Sequence, residues 1–235
     1  MIRVRRDAEI HRAEGGWFTA RWHFSFDRYR DPDNMGWGPL RVFNDDRLVP
    51  GAIWPLHPHR DIEGLTYVVE GTFRHEDDQG GDGVLPDGSV QRMTLGSGAW
   101  HSEQNASQTE PMRFIQIWIM PSERGLRPSL EQKVFSVDNR TDRLLEVFSP
   151  DGGDSVTVHR DVWVYVARLT PGAEAQHAFD GRRGGYLYVI DGAVRAGDEK
   201  LGTGDAAKIR DEATLRLAAE DTTELILVDV PLEED

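Results

Sequence analysis

Two imidazoles two residues apart, His57 and His59 in "WPLHPHRDIEG", are the first place in this 235-residue chain where residue type and spacing could do chemistry. A second pair of candidate donors, His101 and Glu103 in "GSGAWHSEQ", repeats that spacing. Side chains alternate along a strand, so each pair presents both members on one face, with Pro58 turned away. If the two segments pair, three imidazoles and one carboxylate converge. Such a set suits a borderline divalent ion such as Fe(II), Ni(II), Co(II), Mn(II) or Cu(II), with one or two positions left for water or substrate. The chain contains no cysteine, which excludes thiolate ligands, disulfides and a cysteine nucleophile.

Other candidates carry weaker patterns. Glu63, four residues after His59, could be a ligand, an acceptor that fixes an imidazole ring, or a partner of Arg60. With four ligands already in hand, the ring-fixing role is preferred. His75 and Glu76 sit in the charged stretch "RHEDDQGGDG" and are expected to be solvated. His11, His23 and His159 have no partner pattern and read as structural or exposed. The aromatic stretches "GWFTARWHFSF" and "NMGWGPL" offer Trp17, Phe18, Trp22, Phe24, Phe26, Met35 and Trp37 as walls for a flat ligand, or as core. "GGDGVLPDG" lacks the Lys-Ser/Thr of a phosphate loop.

The elements that must position these groups read as strands. "LTYVVEG", "MRFIQIWIMP", "RLLEVFSP", "VWVYVARL", "GYLYVIDG" and "TELILVDVP" are short, rich in β-branched and aromatic residues, and bounded by Gly, Pro or Asp. "DEATLRLAAED" fits a helix by composition and a strand by alternation. Many short strands with Gly-rich turns point to a sandwich or barrel. An internal echo supports two copies: "YVVEGTFRHEDD", "LGSGAWHS" and "MRFIQIWIMP" are followed in the same order by "YVIDGAVRAGDE", "LGTGDAAKI" and "TELILVDVP". Two related β-barrels are therefore expected, residues 1–125 and 126–235, joined through "PSERGLRPSLEQKVF". The ligand set occurs only in the first, and the second retains only His177 near a comparable place.

Acidic residues outnumber basic ones by 41 to 27, a net charge of -14, which disfavours a direct nucleic-acid face. The start, "MIRVRRDAEIHRAEGGW", has no apolar signal core, and no run approaches the roughly 18 apolar residues that cross a bilayer. A cytoplasmic chain is expected.

"HPHRDIEGLTYVVEG" taken with "GSGAWHSE" resembles the pirin family, bicupins of the cupin superfamily. "WHFSFDRYRDPDNMGWGPLRVFNDD" and "QIWIMP" are similar as well, and the likeness is strongest over residues 15 to 135. It implies an all-β fold of two packed cupin β-barrels, each a double-stranded β-helix or jelly roll, with few short helices. It also implies His57, His59, His101 and Glu103 as the ligands of one metal ion, with Fe(II) first and Ni, Co, Mn, Cu or Zn as alternatives. Gly96 stands where the family's second motif usually has a proline, which leaves that turn less pre-organised. Bacterial members that look like this chain include quercetinases, so the resemblance implies a quercetin 2,3-dioxygenase that opens flavonols with O₂ and releases CO, with Glu103 as catalytic base. The other implied role is a metal-binding regulator acting through a protein partner. A monomer without membrane contact is expected in either case.

Overall fold

In a computed structural model that describes residues 1–232, most of the chain is extended. The strands begin with β1 (Ile2–Arg5), β2 (His11–Glu14), β3 (Phe18–Trp22), β4 (Leu40–Leu48), β5 (Ile53–His59) and β6 (Glu63–Glu70). They continue with β7 (Thr72–Asp77), β8 (Asp82–Pro86), β9 (Ser89–Thr94), β10 (Ala99–Asn105), β11 (Met112–Ile119) and β12 (Ser129–Val134). After one helical turn, α1 (Val137–Arg140), come β13 (Leu145–Ser149), β14 (Val156–Thr157), β15 (Trp163–Leu169), β16 (Glu174–Ala178) and β17 (Arg183–Asp191). The last strands are β18 (Ala193–Ala196), β19 (Glu199–Gly202), β20 (Ala206–Arg210), β21 (Thr214–Ala219) and β22 (Thr223–Pro231). The ambiguous "DEATLRLAAED" is thus a strand: Leu215, Leu217 and Ala219 are buried and Arg216 between them is exposed, a period of two.

The chain divides into two compact units. The first, His11–Phe135 with Val156–Arg160, carries the histidine pairs; the second comprises Met1–Ile10, Ser136–Ser155 and the chain from Asp161 on. The units interleave along the sequence instead of meeting at a single cut near residue 125. The reason is visible at the start of the chain, where β1 pairs with β20 through Ile2↔Ile209 and Val4↔Ala207.

The expected barrels are not formed. In the first unit a seven-stranded sheet runs β12-β9-β6-β11-β4-β3-β2 and a separate four-stranded sheet runs β5-β10-β7-β8. A second seven-stranded sheet runs β1-β20-β17-β22-β15-β13-β14, and a second four-stranded sheet runs β16-β21-β18-β19. Each ladder ends in an edge strand, so none of the described sheets closes on itself. Side-chain packing, not a continuous hydrogen-bond ladder, joins the two layers of each unit. In the first unit Leu48, Val68 and Phe114 of the large sheet cluster with Phe73 and Leu85 of the small one. In the second, Leu187, Val189, Leu225 and Leu227 cluster with Val194, Leu201, Leu215 and Leu217. The all-β, helix-poor arrangement in two copies holds; the closed double-stranded β-helix does not.

Candidate metal centre

The first histidine pair lies on β5, an edge of the small sheet. An edge tolerates Pro55 and Pro58, which have no N–H to give to a neighbour, and their presence keeps β5 at the edge. On its paired side β5 meets β10 antiparallel, with His57 opposite His101 and His59 opposite Ala99. The period of two then puts His57, His59 and His101 on one face. A register irregularity between His101 and Glu103 brings Glu103 opposite Trp54.

The three imidazoles form a cluster in which one ring nitrogen from each lies within 4.8 Å of the others. His57 Nδ1–H donates to the Pro55 carbonyl at 2.8 Å, which fixes the tautomer and leaves Nε2 as a lone-pair donor. His101 is 5% exposed, and neither of its ring nitrogens has a hydrogen-bond partner. Burial, reinforced by His57, pushes His59 down to about 4. Burial, with His57, His59 and His75 nearby, pushes His101 down to about 2. Both rings are therefore neutral near pH 7, the state that ligates. Converging neutral imidazoles with an unused buried nitrogen and no thiolate fit a divalent transition ion.

Glu103 shares a cavity of about 80 Å³ with His57 and His59. It is 3% exposed, and Gln116 Nε2 donates to its two oxygens at 3.0 and 3.3 Å. Burial pushes the carboxyl up to about 7, against the opposing effect of the Gln116 bond. Asn44, Asp46 and Gln116 provide polar lining from the large sheet, and Phe26, Trp54, Phe114 and Trp118 provide aromatic lining. "VFNDDRLV" explains how a buried strand carries so many polar groups. Asn44 and Asp46 take the cavity side of β4, while Asp45 between them is held by Arg113 through Nε and a terminal nitrogen, both at 2.8 Å. Burial, with Glu103 and Asp45 nearby, raises the Asp46 carboxyl well above its usual range.

Several expectations land elsewhere. Glu63 does fix an imidazole, but that of His159: the His159 backbone N–H and Nδ1 each lie 2.7 Å from its oxygens, and Thr94 donates at 2.9 Å. Arg60 pairs with Asp61 instead. His75 is not solvated. It is fully buried, accepts from Gln91 Nε2 at 3.2 Å and donates to Asp77 at 3.0 Å. Gly96 is not a weakened proline position, because a Cβ there would stand 1.9 Å from the Leu126 carbonyl oxygen. The chain crosses that turn too closely for a side chain, and Ser97 N–H bonds the same oxygen at 2.9 Å. Of the aromatic residues expected as walls, Phe26 lines the cavity and Trp22 packs edge-to-face against it with centroids 5.1 Å apart. Phe24 is core and Met35 is exposed. Sequence reasoning passed over Trp54, Trp118, Gln116, Asn44 and Asp46; the available signal was the polar run "NDD" inside an apolar strand.

Two helix-poor units of paired open sheets, one holding a three-histidine cluster, define a bicupin with a site for a divalent metal. The pirin family model matches residues 3–119, and the model of the quercetinase C-terminal cupin domain matches residues 146–230. The quercetin 2,3-dioxygenase of Escherichia coli strain K12 is 39% identical over 233 residues, covering 98% of this chain and 99% of that protein. The pirin-like protein of Caulobacter vibrioides is 40% identical over 219 residues, 92% of this chain and 94% of that one. Among solved structures, the bacterial pirin YhhW from Escherichia coli in complex with nickel(II) gives a TM-score of 0.93 at 38% identity, over 99% of this chain and 100% of that one. The chain belongs to the pirin family. No helix among the described residues is long and apolar enough to cross a membrane.

Proposed function

We propose that the chain is a metal-dependent dioxygenase that opens the central ring of flavonols such as quercetin, taking up O₂ and releasing CO. The observation that carries this reading is the cluster of three imidazoles, two of which, His57 and His59, open onto a cavity shared with the buried carboxyl of Glu103. The relative named quercetin 2,3-dioxygenase supports the substrate class. His57, His59 and His101 would hold the ion, with Glu103 as fourth ligand, and Fe(II) is the first candidate. When bound, the ion supplies Lewis-acid polarisation of a substrate oxygen and the means to engage O₂.

The chain's own groups do the rest. Glu103, which lines the same cavity as His57 and His59, accepts the proton of the flavonol 3-hydroxyl. Gln116 holds the carboxylate by its amide and limits its swing. Phe26, Trp54 and Trp118 offer faces to a flat ring and keep bulk water from the reacting edge. Drug-sized ligands occupy sites of roughly 300–1,000 Å³. A cavity of about 80 Å³ therefore admits the oxygenated edge of a flavonol and leaves its other rings outside.

Aerobic conversion of quercetin by Fe, Ni, Co, Mn and Cu forms of the protein tests this, with CO trapped and free metal ions as the control. Release of CO above that control is expected with at least one metal. Its absence with all of them defeats the dioxygenase reading. The small cavity favours a second reading, a metal-bearing regulator that acts through a protein partner, which would bind its ion and leave every flavonol intact.

A further inference from the structure

The wall facing the histidines holds polar atoms that neither the fold nor the metal uses. Asn44 is 1% exposed, yet neither its amide nitrogen nor its amide oxygen has a partner. Asp46 is 2% exposed, and its Oδ1 is likewise unpartnered. Both line the cavity that holds His57, His59 and Glu103. Asp45, between them in sequence, shows that this strand can satisfy a carboxylate: Arg113 grips both of its oxygens. On β4 the unpaired side-chain atoms belong to the two residues that line the cavity. Buried polar groups in native proteins find partners, so a set of orphans facing one cavity points to a ligand that completes them.

The chemistry of the orphans limits the ligand. An amide supplies one donor and one acceptor side by side, which match a carbonyl oxygen and a hydroxyl on neighbouring carbons. No lysine or arginine lines the cavity, while two carboxyl groups do, so its lining offers no cation to bind a free anion. Its volume of about 80 Å³ and its aromatic members suit one edge of a flat ring. We infer that Asn44 and Asp46 form a recognition wall for a planar ring bearing adjacent hydroxyl and carbonyl oxygens, presented to the three histidines from the opposite sheet. The inference rests on the metal-site reading above and assigns to Asn44 and Asp46 the discrimination between an α-hydroxyketone edge, which is bound, and an isolated phenol, which is not.

The test reads binding without turnover. The full chain is loaded with zinc, which is redox-inert, and titrated with maltol, a single-ring α-hydroxyketone, following tryptophan fluorescence. The control probe is 2-methyl-4-pyranone, which lacks the hydroxyl. Wild type should bind maltol and discriminate against the control. Asn44→Leu should weaken maltol about tenfold or more, the loss expected from two hydrogen bonds. Zinc content after titration should be unchanged, and the melting temperature should be equal or higher, because the substitution removes unpaired buried atoms. Asp46→Asn keeps the shape of the wall; it should weaken maltol severalfold and serves as the decisive variant should Asn44→Leu fail to fold. Unchanged maltol affinity in the folded variants overturns the inference, as does failure of zinc-loaded wild type to bind maltol or loss of zinc to the probe. A wall that is only structural would lower the melting temperature of Asn44→Leu and leave affinity intact. Because no O₂ chemistry is read, a negative quercetin assay and a failed recognition wall are separate outcomes.

Discussion

The two units are built on the same plan and filled with opposite chemistry. In the first, β10 lies between β5 and β7; in the second, β21 lies between β16 and β18. On the pair β5/β10 the facing residues are His57 and His101. On the pair β16/β21 they are Ala175 with Leu217, and His177 with Leu215. His177, on the counterpart of β5, bonds Asp229 at 2.7 Å and stands against Tyr165 and Phe179 with centroids 4.8 Å away. The large sheets differ in the same sense, with Asn44, Asp46 and Gln116 in one and Ala167, Leu225 and Leu227 in the other. A buried leucine stabilises by about 1.5–3 kcal/mol, whereas an unpaired buried polar group costs about 1–3 kcal/mol. The second unit spends its interior on cohesion, and the first leaves unsatisfied atoms where a metal and a ligand can satisfy them.

The largest effect should come from the ligands themselves. Wild type is expected to hold about one divalent ion per chain, and His57→Ala with His59→Ala should reduce it to a tenth or less by elemental analysis. Retention of the ion in that double variant would break the contrast between the units, since the second would then have to hold it. Next is Glu103→Gln. Turnover of quercetin should fall by about 10²–10⁴-fold with the ion retained if Glu103 moves a proton, while loss of activity in step with metal would reduce it to a ligand. In the second unit, Leu217→Ala should destabilise the chain by about 2–5 kcal/mol in urea unfolding, as cavity formation in a packed core does. The smallest expected effect has the opposite sign. His101→Leu puts the second unit's solution into the first, and in metal-free protein it should stabilise by about 1–3 kcal/mol by removing two unpartnered nitrogens. A destabilised His101→Leu chain would mean that the imidazole is integral to the fold even without an ion.

The echo between the two halves was legible, but one of its parts misled. "LGSG" leads into β10, whereas "LGTG" leads into β20, the strand that pairs with β17 as β9 pairs with β6. Similar turns therefore open different strands, and the true counterpart of β10 is the stretch "TLRLAA", which contains no trace of the histidine motif. Glu63 shows a related failure. It lies four positions after His59, yet its partner His159 is 96 positions away. His75 sits in a run of charged residues and is buried because the pleat turns it inward toward Gln91 and Asp77.

What the sequence determined by itself was local. The spacing of two in His57/His59 and in His101/Glu103 puts each pair on one face of any strand, and the absence of cysteine leaves nitrogen and oxygen as the ligand atoms. Strand character follows from β-branched and aromatic runs between turn residues in the same way. The tertiary structure alone decided that the sheets stay open, that the first ten residues join the second unit, and that Asn44 and Asp46 face the histidines across a cavity. Those facts depend on which face of one sheet meets which face of another. The pleat fixes the alternation of side chains within a strand, but packing between residues far apart in the chain fixes what lies opposite them.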